Sequence, residues 1–142
     1  MPIAAAFPLL NNQIANALSM DIAADPNTVA TIIATAVGQA SSMGLLPAAP
    51  APIPLVPAGL SAGQNLITNA LNLQIAADIK IVATIMATGI SLIAPLAPPA
   101  GLSYLQNEIA NALSMDIAAQ QKTVALMISN AIIQYYTMGG II

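Results

Sequence analysis

The sequence predicts an all-α fold: three tandem helix–helix repeats, each a helical hairpin or one long bent helix, joined by extended proline-rich linkers. Three observations carry that prediction. One motif occurs three times without a gap: residues 13–24 read QIANALSMDIAA, residues 66–77 read LITNALNLQIAA, and residues 108–119 read EIANALSMDIAA. Within each copy the apolar residues recur at helical spacing. Between copies, prolines cluster where no helix can form. The chain divides into an N-terminal arm (1–12), repeat 1 (13–44), a proline-rich linker (45–60), repeat 2 (61–97), a short linker (98–101) and repeat 3 (102–142).

The arm begins Met1-Pro2-Ile3-Ala4-Ala5-Ala6-Phe7-Pro8. It lacks the basic start of a secretory signal, and Pro8 cuts its apolar run short, so it reads as a short ordered arm. In repeat 1, Asp25-Pro26 is a helix-start signal, Asp as N-cap and Pro at the first helical position. A break is therefore expected at Asp25, with helices over about 9–24 and 26–42. Repeat 2 has Asp78 followed by Ile79 at the same place, and Gly89 lowers helix propensity in its second half. In repeat 3, Leu105, Ile109, Leu113 and Ile117 form one apolar stripe that Val124, Ile128 and Ile132 continue, with Asn107, Asn111 and Ser114 opposite. No Pro or Gly interrupts Leu102 to Met138, so this copy is expected to be the most continuous, one helix of roughly 34 residues and ~50 Å. The linker GLLPAAPAPIPLVPAG (Gly44–Gly59) is expected to run extended as a semi-rigid spacer reaching roughly 45 Å. Both linkers end in Pro-Ala-Gly-Leu-Ser, which makes Ser61 and Ser103 the expected N-caps.

Composition narrows function. Hydrophobic residues make up 58% and charged residues 5% of the 142 residues, against about a quarter charged in ordinary soluble domains. The chain has no His, no Cys and no Trp, and its basic residues are Lys80 and Lys122 alone. Without His or Cys there is no thiol nucleophile, no imidazole base and no Cys/His zinc or iron–sulfur site. No catalytic residue, cofactor or metal is expected. Two lysines and a net charge of −3 give nucleic acid no charge contact.

Three sets of residues stand out. Asp21 and Asp116 share one repeat position, with Gln74 in the middle copy. On a helical wheel Asp116 falls among Leu105, Ile109 and Leu113, where a carboxylate is costly unless satisfied. An acid/base pair or cation site is one reading. Because an amide stands in for the acid in one copy, the preferred reading is a structural polar pin that fixes helix register. Asn16, Asn69 and Asn111, with Asn65 and Asn107 a turn earlier, line the polar face of each first helix. They are either a hydrated face or an inter-subunit polar seam. Lys80 and Lys122 sit just after the helix junctions and read as solvated or ion-paired turn residues.

The second half of each copy, over Thr28–Leu46, Ile81–Ala97 and Thr123–Ile142, is uncharged and near the minimum length for a bilayer span. No Lys/Arg cluster flanks these segments, and Gln39, Asn130, Gln134 and Pro95 dilute or end them. The preferred expectation is a non-enzymatic structural protein, a subunit of a large homo-oligomeric assembly such as a virion capsid, coat or tail or an extracellular filament. The alternative is a membrane-inserted or lipid-associated accessory protein. In composition the chain is similar to the very apolar helical-hairpin coat proteins of spindle-shaped archaeal viruses. That likeness is one of type, with no shared motif.

Overall fold

Each copy buries its apolar stripe by folding back on itself. The structure, a computed structural model, describes residues 3–20, 25–47, 51–73, 78–94, 96, 100–115, 117 and 119–142. A 3-10 turn (Ile3–Ala6) leads into α1 (Phe7–Leu18), followed by α2 (Pro26–Ser42), α3 (Leu60–Leu71), α4 (Ile79–Ile93), α5 (Leu102–Leu113) and α6 (Gln121–Met138). The odd-numbered helices are twelve residues each and start at positions that align in the three motifs. Residues 3–12, expected as an arm, are thus the 3-10 turn and the first half of α1. Pro8 falls in the first turn, where its missing N–H costs nothing, and Leu10 is buried.

The break expected at Asp25-Pro26 occurs at the same place in all three copies. Asp25, Asp78 and Gln120 precede the second helices with closely similar backbone angles (φ −130°, −123° and −129°). Their carbonyls accept the amides of Val29, Val82 and Val124 at 3.1, 2.9 and 3.0 Å. Neither Asp25 nor Asp78 caps through its side chain. The single long helix expected for repeat 3 is therefore corrected to a hairpin. The first helix closes through Ser114, whose amide bonds back to Ala110 and whose hydroxyl donates to the Asn111 carbonyl at 2.6 Å. Ser19 does the same to Asn16 at 2.7 Å in repeat 1. Such back-bonding competes with helix continuation. Folding back also places both apolar stripes against partners, a gain that a straight rod would forgo.

The N-caps are Gly59 and Gly101 rather than Ser61 and Ser103. Their carbonyls accept the first helical bonds, from Gly63 and Leu105, each at 2.9 Å. Gly59 also donates to the Ile93 carbonyl at 3.0 Å, and any side chain there would collide with the Leu92 carbonyl. The serines fall inside the helices, exposed. The long linker is corrected as well. Strands β1 (Leu45–Leu46) and β2 (Ile53–Pro54) pair antiparallel, Leu45 with Pro54 and Leu46 with Ile53. This stretch doubles back instead of reaching outward, because it can hydrogen-bond to itself and cover the end of α2: Leu55 donates to the Gly44 carbonyl at 3.2 Å.

The six helices form a closed ring. Each packs against its chain neighbours, and α6 returns to pack against α1. Neighbours are antiparallel: Gly63 at the start of α3 meets Gly89 and Ile93 late in α4, and Gly101 before α5 meets Tyr135 and Met138 late in α6. A Cβ on Gly63 would sit 2.6 Å from the Gly89 carbonyl, so α3 and α4 approach backbone to backbone there. The core is lined by repeat-equivalent residues: Ile14, Ile67 and Ile109; Ala17, Ala70 and Ala112; Val29, Val82 and Val124 are all buried. The accessible surface is 6701 Å², against about 6,800 Å² for a compact monomer of this mass. The apolar majority is thus buried within one chain. Its copies of the motif are the partners that each stripe needs.

Candidate functional site

The exposed face of the odd-numbered helices is amide-rich and nearly uncharged. Asn12 and Asn16 on α1, Asn65 and Asn69 on α3, and Asn107 and Asn111 on α5 are all exposed. They lie opposite Ile14, Ile67 and Ile109, so the 3.6-residue period that buries the isoleucines turns the asparagines outward. Asn16, Asn69 and Asn111, the candidate seam, thus form three equivalent rows around the ring. Each amide offers donors and an acceptor without the desolvation cost of a charge. The polar pins expected at Asp21, Gln74 and Asp116 lie outside the described residues.

Lys80 and Lys122 are the second residues of α4 and α6, and both are exposed. Lys122 lines a hollow of about 370 Å³ with Ala119, Gln120, Gln121 and Thr123. That lining carries a single ionisable group, Lys122, beside the amides of Gln120 and Gln121 and the Thr123 hydroxyl. Among the described residues there is no group of three or more His, Cys, Asp or Glu that could hold a metal. Among them also, no helix is long and apolar enough to cross a membrane.

Sequence reasoning missed the buried polar groups. Tyr135 and Tyr136, consecutive on α6, are fully buried, with ring centroids 5.3 Å apart and planes inclined at 66°. Neither phenol oxygen has a hydrogen-bond partner, and the same holds for Ser129 Oγ and Asn11 Oδ1. Burial pushes the Tyr135 phenol up from its ordinary value of 10.0. Tyr136 is pushed far above it, by burial first and by the neighbouring Tyr135 second. The Ser41 side chain lies close enough to oppose that rise, but its hydroxyl is donated to the Gly38 carbonyl at 2.8 Å. Both phenols therefore stay neutral through the physiological range, where they can serve neither as base nor as nucleophile. The signal was present in the repeat register: Tyr135-Tyr136 aligns with Ala40-Ser41 and Ile93-Ala94, so two large aromatics stand where the other copies have smaller residues.

The features that stand out are therefore a sparsely charged, amide-studded exterior, a polar hollow at the start of α6 and an aromatic plug in the core. Comparison with protein-family models, with curated proteins and with solved structures finds no match to this chain.

Proposed function

We propose that this protein is a non-enzymatic structural subunit that associates with copies of itself, a virion shell or tail or a filament being the setting it suits best. The observation that carries the reading is the surface. A chain with five acidic and two basic residues covers 6701 Å², whereas soluble surfaces ordinarily carry roughly 25–35% charged residues of both signs. Charge is what keeps like molecules apart, and little of it opposes contact here. The three Asn rows add hydrogen-bonding capacity that neighbouring copies can satisfy mutually. The isolated fold already covers its own core, so association in this reading is lateral packing of finished bundles, not completion of an unfinished one.

The test is molecular mass. Purified protein is measured by light scattering in water and in mild detergent, from 1 to 100 µM. A large, homogeneous particle without detergent supports the reading, and Asn16→Lys, Asn69→Lys and Asn111→Lys combined should reduce its mass. A monomer at every concentration in water rejects it. A small species recovered only in detergent rejects it in favour of lipid association.

A further inference from the structure

Among the described residues one end of the bundle is free of charged groups, while Glu108 lies midway along α5 and the other charges lie at the opposite end. At one end α1, α3 and α5 begin and α2, α4 and α6 finish. The described residues that build this end, 3–10, 38–47, 51–64, 88–94, 96, 100–105 and 130–142, contain no Asp, Glu, Lys or Arg. At the other end Asp25, Asp78, Lys80 and Lys122 sit at the starts of the even-numbered helices. Six of the nine exposed large apolar residues, Leu46, Ile53, Val56, Leu92, Met138 and Ile142, belong to the uncharged end; Leu73, Ile81 and Leu126 lie in the other half. Val56 is 69% exposed, Ile53 53%, Met138 51% and Ile142 50%.

We propose that this uncharged end is a docking face for a second copy of the chain, the two bundles meeting end to end about a two-fold axis. The inference rests on the self-associating reading above and adds an end-to-end contact to the lateral packing described there. Charge decides the partner and the orientation. Two identical uncharged faces meet without electrostatic cost, whereas a head-to-tail stack would press the apolar end of one copy onto Asp25, Lys80 and Lys122 of the next and strip them of water. A two-fold contact is self-complementary and closes on itself. It leaves both charged ends facing solvent. Size is compatible: six helices of about 10–12 Å diameter present an end of roughly 470–680 Å² in cross-section, somewhat below the ~800 Å² per partner of a standard interface. A neutral lipid surface is disfavoured because this end has no Trp, Lys or Arg and its one interfacial aromatic, Tyr104, is half-buried. Strand addition is excluded as the mode. Pro52 and Pro54 remove donors from the β2 edge, so the contact is between side chains.

The experiment is sedimentation velocity from 1 to 100 µM on the intact chain, comparing wild type with Val56→Glu plus Met138→Glu. Helix content by circular dichroism serves as the folding check. Both positions are exposed, so the fold should persist. The proposal expects a wild-type dimer whose dissociation constant rises at least ~10-fold in the double variant, with Leu126→Glu, an exposed apolar residue in the charged half of α6, within twofold of wild type. Equal weakening by Leu126→Glu overturns it. Wild-type binding to phosphatidylcholine vesicles that the double variant loses overturns it in favour of lipid. Large assemblies that survive in the double variant overturn the end face and leave the self-associating reading standing. Monomers at 100 µM for every variant overturn both.

Discussion

Two joints between repeats, α2 against α3 and α6 against α1, occupy equivalent places in the ring and are built differently. At the first, Gln64 donates to the Thr31 hydroxyl at 2.9 Å and Thr68 to the Asn27 side-chain oxygen at 3.3 Å. The repeat-equivalent positions at the second are Asn11 with Leu126 and Ala15 with Lys122. That polar ladder has no counterpart there, and Asn11 Oδ1 is left buried without a partner. The seam is instead fastened beyond the helices. Leu45 and Ile142 exchange both backbone hydrogen bonds, at 2.6 and 2.9 Å, and a Cβ on Gly44 would meet Ile3 Cδ1 at 2.9 Å and Ile141 Cγ2 at 2.7 Å. The joint that the chain covers with a linker is held by exposed polar contacts. The joint that it must close without one is held by apolar bulk and a main-chain clasp. An unlinked joint must offset its own closure entropy, and buried area outweighs exposed hydrogen bonds for that purpose.

The largest expected effect is from truncating the equivalent isoleucines on each side of that comparison. Ile14→Ala in α1 and Ile67→Ala in α3, both fully buried, should each cost about 2–5 kcal/mol. The Ile14 variant should open locally first, seen as faster hydrogen exchange in α1 and α6 than in α3 and α4. Uniform exchange across all six helices would show that the two joints are not independently weak.

Alkaline pH is the next lever. A phenol whose folded value is raised binds its proton more tightly when folded, so stability is fully present below about pH 10, the unfolded value. It is lost as pH rises above that toward the folded values of Tyr135 and Tyr136. Urea midpoints should hold steady from pH 7 to 9 and fall beyond 10. In Tyr136→Phe that fall should be shallower, and an unchanged slope would remove Tyr136 from the account.

Near neutral pH the same substitution tests the plug directly. Because the hydroxyl is buried without a partner, Tyr136→Phe should leave stability unchanged or raise it by about 1 kcal/mol. A loss of that size in chemical denaturation would mean that the hydroxyl is satisfied. The smallest effect belongs to the ladder. Gln64→Ala should cost about 0.5 kcal/mol, since its bond to Thr31 is exposed, and Gln106→Ala at the equivalent place on α5 should cost less still.

The helices were legible because Ile14, Ile67 and Ile109 and their neighbours keep one period in three copies, and a wide apolar stripe has few other outcomes. The break in repeat 3 was hidden by relying on Pro26 as its cause. Gln120 aligns with Asp25 and Asp78, and the gap-free register carried the information that Gln121, where proline stands in repeat 1, did not. The helix starts at Gly59 and Gly101 depend on close packing with residues far along the chain, Leu92 and Ile93 for the first and Tyr135 and Met138 for the second. Ring closure is of the same kind. A repeat pattern states what each face needs, and α6 could meet α1 of its own chain or of another with equal satisfaction. Asn16, Asn69 and Asn111 were correctly placed outward, since exposure follows from the period alone.

The meeting of Ile3, Ile141 and the Gly44 turn has a further meaning. Ile3, before the first hairpin, and Ile141, after the third, touch one point, and three similar hairpins follow one another around the circle. Which hairpin comes first is then a property of the gene and not of the fold. A circularly permuted chain, with residue 142 joined to residue 3 by a short flexible bridge and new ends opened between Pro47 and Ala51, should trace the same ring in a rotated order. The structure is cyclic in its physics and linear only in its synthesis.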